Sequence, residues 1–125
     1  VDEAHVLLSS HNELGAEFLA QIQRRSRKYN TGTIIITQQP TDFAAPNIIT
    51  HGKAIFDNAS YYLVMGLRKQ AVDLSKLIDL NDNEKEAIKY YNQGEALFIC
   101  GNKRMKIQVV ITQEELDSFG SGGGY

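Results

Sequence analysis

At 125 residues the chain is the size of one domain or of part of one. Its 42% hydrophobic and 22% charged residues are ordinary for a globular protein, and a net charge of −2 gives no overall pull toward nucleic acid or an anionic membrane. A single cysteine, Cys100, excludes a disulfide framework and allows a reducing compartment, where it reads as a small core residue.

The chain opens on Val1-Asp2-Glu3-Ala4-His5, an apolar residue followed by two carboxylates. A nucleotide-hydrolysing site uses such a pair at the end of a core strand. There the first carboxylate holds hydrated Mg²⁺ and the second orients and deprotonates the attacking water. The same pair would also suit a solvated turn or a helix N-terminus. Val6, Leu7 and Leu8 read as a strand end leaving through Ser9-Ser10-His11-Asn12. Asn12 suits a helix cap, and Leu14, Phe18, Leu19 and Ile22 recur at helical spacing, with Tyr29 continuing the stripe. That helix is expected to reach about Lys28 and to end at Asn30-Thr31-Gly32. Its last turns carry Arg24, Arg25, Arg27 and Lys28. Favourable placement at a helix C-terminus accounts for one or two of these cations. The whole run points to an anion, either a phosphate chain or a nucleic-acid backbone.

Thr33 to Thr37 is apolar without alternation and too short for a helix, which predicts a central strand of a parallel sheet, buried on both faces. It ends in Thr37-Gln38-Gln39-Pro40, so Gln38 either reaches into the crevice where open α/β sheets bind ligands or caps the loop. Pro46 suits the first turn of a helix carrying Ile48, Gly52, Ile55, Phe56 and Ala59 on one face, where Gly52 is a weak point unless close packing requires it. A strand over 61–66 and a short helix over 68–78 follow. Asn81 and Glu84 resemble a capping box for a helix through Tyr91. Residues 95–100 and 105–111 read as an antiparallel hairpin turned at Gly101-Asn102, and Thr112 or Gln113 opens a last short helix to Phe119. His5, His11 and His51 are scattered, so a zinc site is not expected.

Three stretches in fixed order, VDEAH, RRSRKYN and TIIITQQPTDF, carry a resemblance. The chain resembles, from Val1 to about Thr112, the C-terminal part of the ATPase domain of conjugative-transfer and type IV secretion ATPases, the TraC-like branch of the FtsK/HerA motors. The resemblance implies an α/β fold: a partial RecA-like P-loop NTPase sheet, mainly parallel, with an antiparallel edge hairpin and flanking helices. Residues 1–119 would be the C-terminal portion of that domain and 120–125 a flexible tail. Asp2 matches the Walker B residue on the Mg²⁺ side, Glu3 the catalytic base and Gln38 the sensor glutamine. Arg24, Arg27 and Lys28 match a basic motif that reaches a nucleotide on an adjacent subunit, or DNA in a related motor. The implied cofactors are ATP and Mg²⁺. The implied setting is a bacterial, cytoplasmic homo-oligomer, dimer or hexamer, at the inner face of the membrane with other secretion components and with DNA as a further partner.

One departure from the family pattern is decisive. No G-x-x-x-x-G-K-S/T loop occurs, so the phosphate cradle is missing. The reading is therefore of half an active site, with the loop expected upstream of Val1 and with no nucleotide bound or hydrolysed by this piece alone. Two alternatives stand beside it. One is a fragment of a DEAH helicase, whose box is normally followed by a Ser-Ala-Thr strand end rather than Thr-Gln-Gln-Pro. The other is a non-catalytic interaction domain that keeps an ATPase-like fold.

Overall fold

The computed structural model of the protein describes residues 1–8 and 12–120, with the backbone alone at Arg27. The readings made at Ser9-Ser10-His11 and over 121–125 lie outside the described residues.

Among the described residues six helices and three strands follow one another: α1 (Glu13–Ser26), α2 (Pro40–Phe43), α3 (Ile49–Asp57), β1 (Tyr61–Met65), α4 (Ala71–Leu74), α5 (Asp82–Lys89), β2 (Glu95–Cys100), β3 (Lys103–Gln108) and α6 (Gln113–Phe119). Short 3₁₀ turns stand at Ala4–Val6 and at Arg27–Tyr29.

The cap at Asn12 forms as expected, its Oδ1 accepting from the Gly15 N–H at 3.0 Å. Gly15 is required there, because a Cβ would lie 2.1 Å from the Leu7 carbonyl oxygen. This contact pins the start of α1 against the N-terminal segment. α1 buries Ala16, Leu19 and Ala20, while Leu14 and Phe18 are 78% and 60% exposed. The stripe read as core-facing is thus split. Ala16, Leu19 and Ala20 face the core beside α3, while Leu14 and Phe18 face outward. Gly52 has the close packing that its place in α3 requires, since a Cβ would meet the Phe43 carbonyl oxygen at 2.1 Å. Pro46 does not start α3, which begins three residues later, after the unexpected one-turn helix α2 that Pro40 opens. The helix expected over 68–78 shrinks to Ala71–Leu74.

The sheet is a three-stranded antiparallel meander in the order β1-β2-β3. Tyr61 pairs with Cys100, Met65 with Ala96, Glu95 with Gln108 and Cys100 with Lys103. The hairpin forms, but its return strand is Lys103–Gln108 rather than 105–111, with Gly101 at φ 59° in the turn, where a side chain would be strained. A mainly parallel sheet is not what the described residues form, and β1 pairs with the hairpin rather than with the Thr33–Thr37 run.

A short parallel contact does exist elsewhere. The Val1 amino group donates to the Ile34 carbonyl at 2.6 Å, the Ile36 N–H to the Val1 carbonyl at 2.9 Å, and the Ala4 N–H to the Ile36 carbonyl at 3.0 Å. One residue bonding to two partners spaced two apart is the parallel pattern. It stops where Glu3 turns left-handed and the chain enters its 3₁₀ turn, so the expected strand through Leu7 does not form. Nor is the isoleucine run buried on both faces: Ile35 packs on the core, whereas Ile34 is 75% and Ile36 52% exposed.

Two apolar clusters result. One gathers Ala4, Leu8, Leu19, Phe43, Ile48 and Ile55 between the N-terminal segment, α1, α2 and α3. The other gathers Val64, Leu74, Ile78, Ile88, Leu97 and Ile99 between the sheet and α4–α5. Phe56 joins them, meeting the Phe43 ring edge-on at 5.3 Å and stacking on Tyr62 at 6.3 Å. Among the described residues no helix is long and apolar enough to cross a membrane.

Candidate functional site

Asp2 and Glu3 sit at the end of the extended N-terminal segment, both exposed. Asp2 folds back, its Oδ1 accepting from the Glu3 N–H at 2.9 Å, while its other oxygen has no hydrogen-bond partner among the described residues. Glu3 has φ 49° and ψ 46°. A non-glycine residue held there costs roughly 1–2 kcal/mol, and such strain gathers at functional sites. Directly behind the pair, Ala4 is fully buried and anchors the turn to Ile36.

Gln38 lies two residues past Ile36 in the segment that runs parallel to Val1–Ala4, so the backbones of Glu3 and Gln38 stand at the same end of the paired segments. Gln38 is exposed. The loop-capping alternative falls to its neighbour: the Thr37 hydroxyl accepts from the Gln39 N–H at 3.1 Å.

The basic run occupies the other end of α1. Arg24 and Arg25 close the helix and Lys28 stands in the 3₁₀ turn, all three exposed. Asn30 ends the turn at φ 51°, and the Thr31 N–H donates to the Ser26 carbonyl at 3.0 Å, a left-handed stop of the kind the sequence suggested. Most of the length of α1, about 20 Å for its 14 residues, separates the Gly15–Leu7 contact from these cations. The carboxylates and the basic run therefore lie at opposite ends of one helix. The cations Lys76, Lys85, Lys89, Arg104 and Lys106 all pair with carboxylates, whereas Arg24, Arg25 and Lys28 have no ion pair among the described residues.

Three features escaped sequence reasoning. The Nδ1 of His5 is buried without a hydrogen-bond partner next to the acidic pair, as is the Thr33 hydroxyl at the start of the isoleucine run. A groove of about 390 Å³ runs along the outer face of α1, lined by Phe18, Ile22, Arg25, Tyr29 and Thr31. Its signal was present in the helical spacing of Phe18, Ile22 and Tyr29, which does not say whether a stripe is covered. A cleft of about 460 Å³ lies between α3, α4 and the sheet, lined by Lys53, Asp57, Tyr62, Lys76, Asp79 and Arg104. It holds none of the candidate residues and is largely self-neutralised. In it the Tyr62 hydroxyl donates to the Phe56 carbonyl at 2.6 Å, and burial, with the charge of Asp57 adding to it, pushes that hydroxyl above the usual tyrosine range.

Among the described residues no group of three or more His, Cys, Asp or Glu side chains could hold a metal ion. A hydrated Mg²⁺ bound through its water shell asks less of the protein, and the second Asp2 oxygen fits that use. The phosphate-binding part of such a site has no counterpart in the sequence.

No protein-family model matches the chain. An uncharacterized protein of Bacillus anthracis is 22% identical over 130 residues, covering 98% of this chain and 20% of that protein. The solved structure of VirB4 of Thermoanaerobacter pseudethanolicus is similar with a TM-score of 0.85 and 32% identity, over 93% of this chain. The chain spans 31% of that structure's length. The mixed α/β fold, the spacing of the motifs and this likeness agree, and the resemblance to the C-terminal part of a type IV secretion ATPase, first read from VDEAH, RRSRKYN and TIIITQQPTDF, is borne out by it.

Proposed function

We propose that the chain is the C-terminal part of the ATPase domain of a conjugation or type IV secretion motor and carries its water-activating half. The observation that carries this reading is the pairing of Val1–Ala4 with Ile34–Ile36, with the backbones of Glu3 and Gln38 at one end of it. The likeness to VirB4 supports it.

In this reading Asp2 holds hydrated Mg²⁺ through its second oxygen. Mg²⁺, when bound, neutralises charge on the triphosphate. Glu3 accepts a proton from the attacking water, and Gln38 orients that water by hydrogen bonding. The left-handed backbone at Glu3 fixes the direction in which its carboxylate leaves the chain. Arg24, Arg27 and Lys28 serve a nucleotide held by a neighbouring subunit, because α1 keeps them far from their own Glu3. The phosphate cradle comes from another part of the motor. A cytoplasmic homo-oligomer that works with the secretion machinery at the inner membrane, and with DNA where DNA is the cargo, follows as part of the same proposal.

Glu3→Gln in the full motor tests it. Glutamine keeps the shape and an acceptor but cannot take the proton. ATP hydrolysis should fall by about two orders of magnitude or more while ATP binding is retained. Unchanged steady-state hydrolysis removes Glu3 from the mechanism.

A further inference from the structure

α6 is a helix without a seat. It has a complete capping box: the Thr112 hydroxyl accepts from the Glu115 N–H at 3.2 Å, and the Glu115 carboxylate accepts from the Thr112 N–H at 2.9 Å. Yet none of its residues is buried, and Leu116 and Phe119 are 50% and 86% exposed. Three residues apart, they share one face. Val110 and Ile111, just before it, are 79% and 59% exposed. Isolated helices shorter than about 12–15 residues do not persist in water. A seven-residue helix with this apolar face is stable only when that face is covered.

The groove on α1 is the complementary feature. Phe18 and Tyr29, 60% and 68% exposed, flank Ile22 and Arg25 along it, and Arg24 and Lys28 stand beside it without ion pairs among the described residues. α6 carries Glu114, Glu115 and Asp117 around its apolar pair. One surface is aromatic and basic, the other aliphatic, aromatic and acidic. An amphipathic helix laid into an apolar groove with opposite charge on the rim is a common recognition mode.

We propose that α6 of one copy of this chain docks in the α1 groove of a second copy, with Leu116 and Phe119 seated against Phe18, Ile22 and Tyr29, and with Glu114 and Asp117 facing Arg25 and its basic neighbours. The occupant is a second copy because helix and groove both belong to this chain and carry opposite charge, and because α6 buries no residue against its own chain. The inference does not depend on the ATPase reading, since neither Glu3 nor Gln38 enters it.

Sedimentation equilibrium of this chain across a concentration series tests the proposal. Association should be concentration-dependent and should weaken as salt is raised. Phe119→Ser with Leu116→Ser should weaken it roughly thirtyfold, as expected for apolar anchors. Both residues are exposed in the single chain, so thermal melting at concentrations low enough to leave the chain monomeric should not change. Arg25→Glu alone, and Glu114→Arg with Asp117→Arg alone, should each weaken association about tenfold. An equimolar mixture of those two variants should associate again, because each reversed surface then meets an opposite one. A monomer at every concentration, association indifferent to these changes, or a mixture that fails to recover would overturn the proposal.

Discussion

The region from Tyr61 to Gln108 and the region from Val1 to Thr37 are built differently. In the first, the strands and helices close one core among themselves, although Tyr61, Leu63, Val72 and Tyr90 stay exposed and Gln70 holds a buried oxygen without a partner. Val64, Leu97 and Ile99 face α4 and α5, Asn81 and Glu84 close a capping box with two bonds of 2.9 Å, and Arg104 ties β3 to α5 through Glu84 at 2.6 Å. In the second, Val1, Leu14, Phe18, Ile34 and Ile36 are largely exposed, and His5, Gln23 and Thr33 each hold a buried polar atom without a partner. The candidate site and the basic run both belong to this second region. The scaffold therefore carries a segment that holds three of the four buried side-chain atoms left unpaired among the described residues, which is how a half-site intended for other protein segments would look.

The largest expected effect contrasts the two regions directly. Ile88 is fully buried between α5 and the sheet, and Ile88→Ala should lower unfolding free energy by about 2–5 kcal/mol. Ile34→Ala, at 75% exposure, should change it by less than about 0.5 kcal/mol. Urea denaturation of both variants measures the difference, and equal losses would mean that the isoleucine run is covered after all. A smaller effect is expected at the α5 cap, where Asn81→Ala should cost about 1 kcal/mol. A change within error there would show that the scaffold is less locally determined than its hydrogen bonds imply.

The smallest effect concerns pH. The Lys106 ammonium, hydrogen-bonded to the Glu95 carboxylate at 2.5 Å, and the Asn92 N–H hold that carboxyl below the usual glutamate range. Lys89 does the same for Glu86, and Thr112 for Glu115. A carboxyl whose folded value is depressed binds protons more readily when unfolded, so its contribution is present above the usual glutamate value and fades as pH falls through the folded one. Stability of the scaffold should therefore decline modestly below about pH 4.5 and be flat from there to neutrality. Glu95→Gln should flatten part of that decline in an acid titration followed by circular dichroism. A decline unaffected by the substitution would assign it elsewhere.

What the sequence made legible was local. The capping box at Asn81 and Glu84, the helix start at Thr112 and the turn at Gly101-Asn102 are each closed within three or four residues, so composition and spacing were enough. The acidic pair and Gln38 were legible as a motif, and the likeness to VirB4 agrees with the family that the motif suggested. Illegible features depended on what lies across space. Spacing alone revealed that α1 is amphipathic but not which stripe faces the core, and Ala16 and Ala20 are buried with Leu19 while Leu14 and Phe18 are not. The Ile34–Ile36 run announced apolarity but not the absence of a covering layer, and strand pairing between distant segments leaves no local signature.

The central claim is that Asp2, Glu3 and Gln38 are half of a nucleotide-hydrolysing site. Most of the binding energy for a triphosphate comes from the phosphate loop together with Mg²⁺, and exposed side chains such as Arg24 and Arg25 offer only weak, salt-sensitive contacts. Isothermal titration calorimetry of the purified chain with Mg²⁺-ATP, run alongside a phosphate-release assay, tests this most directly. The account predicts no saturable micromolar binding and no turnover above buffer. Micromolar saturable binding, or measurable phosphate release, would show a complete site within these 125 residues and contradict it.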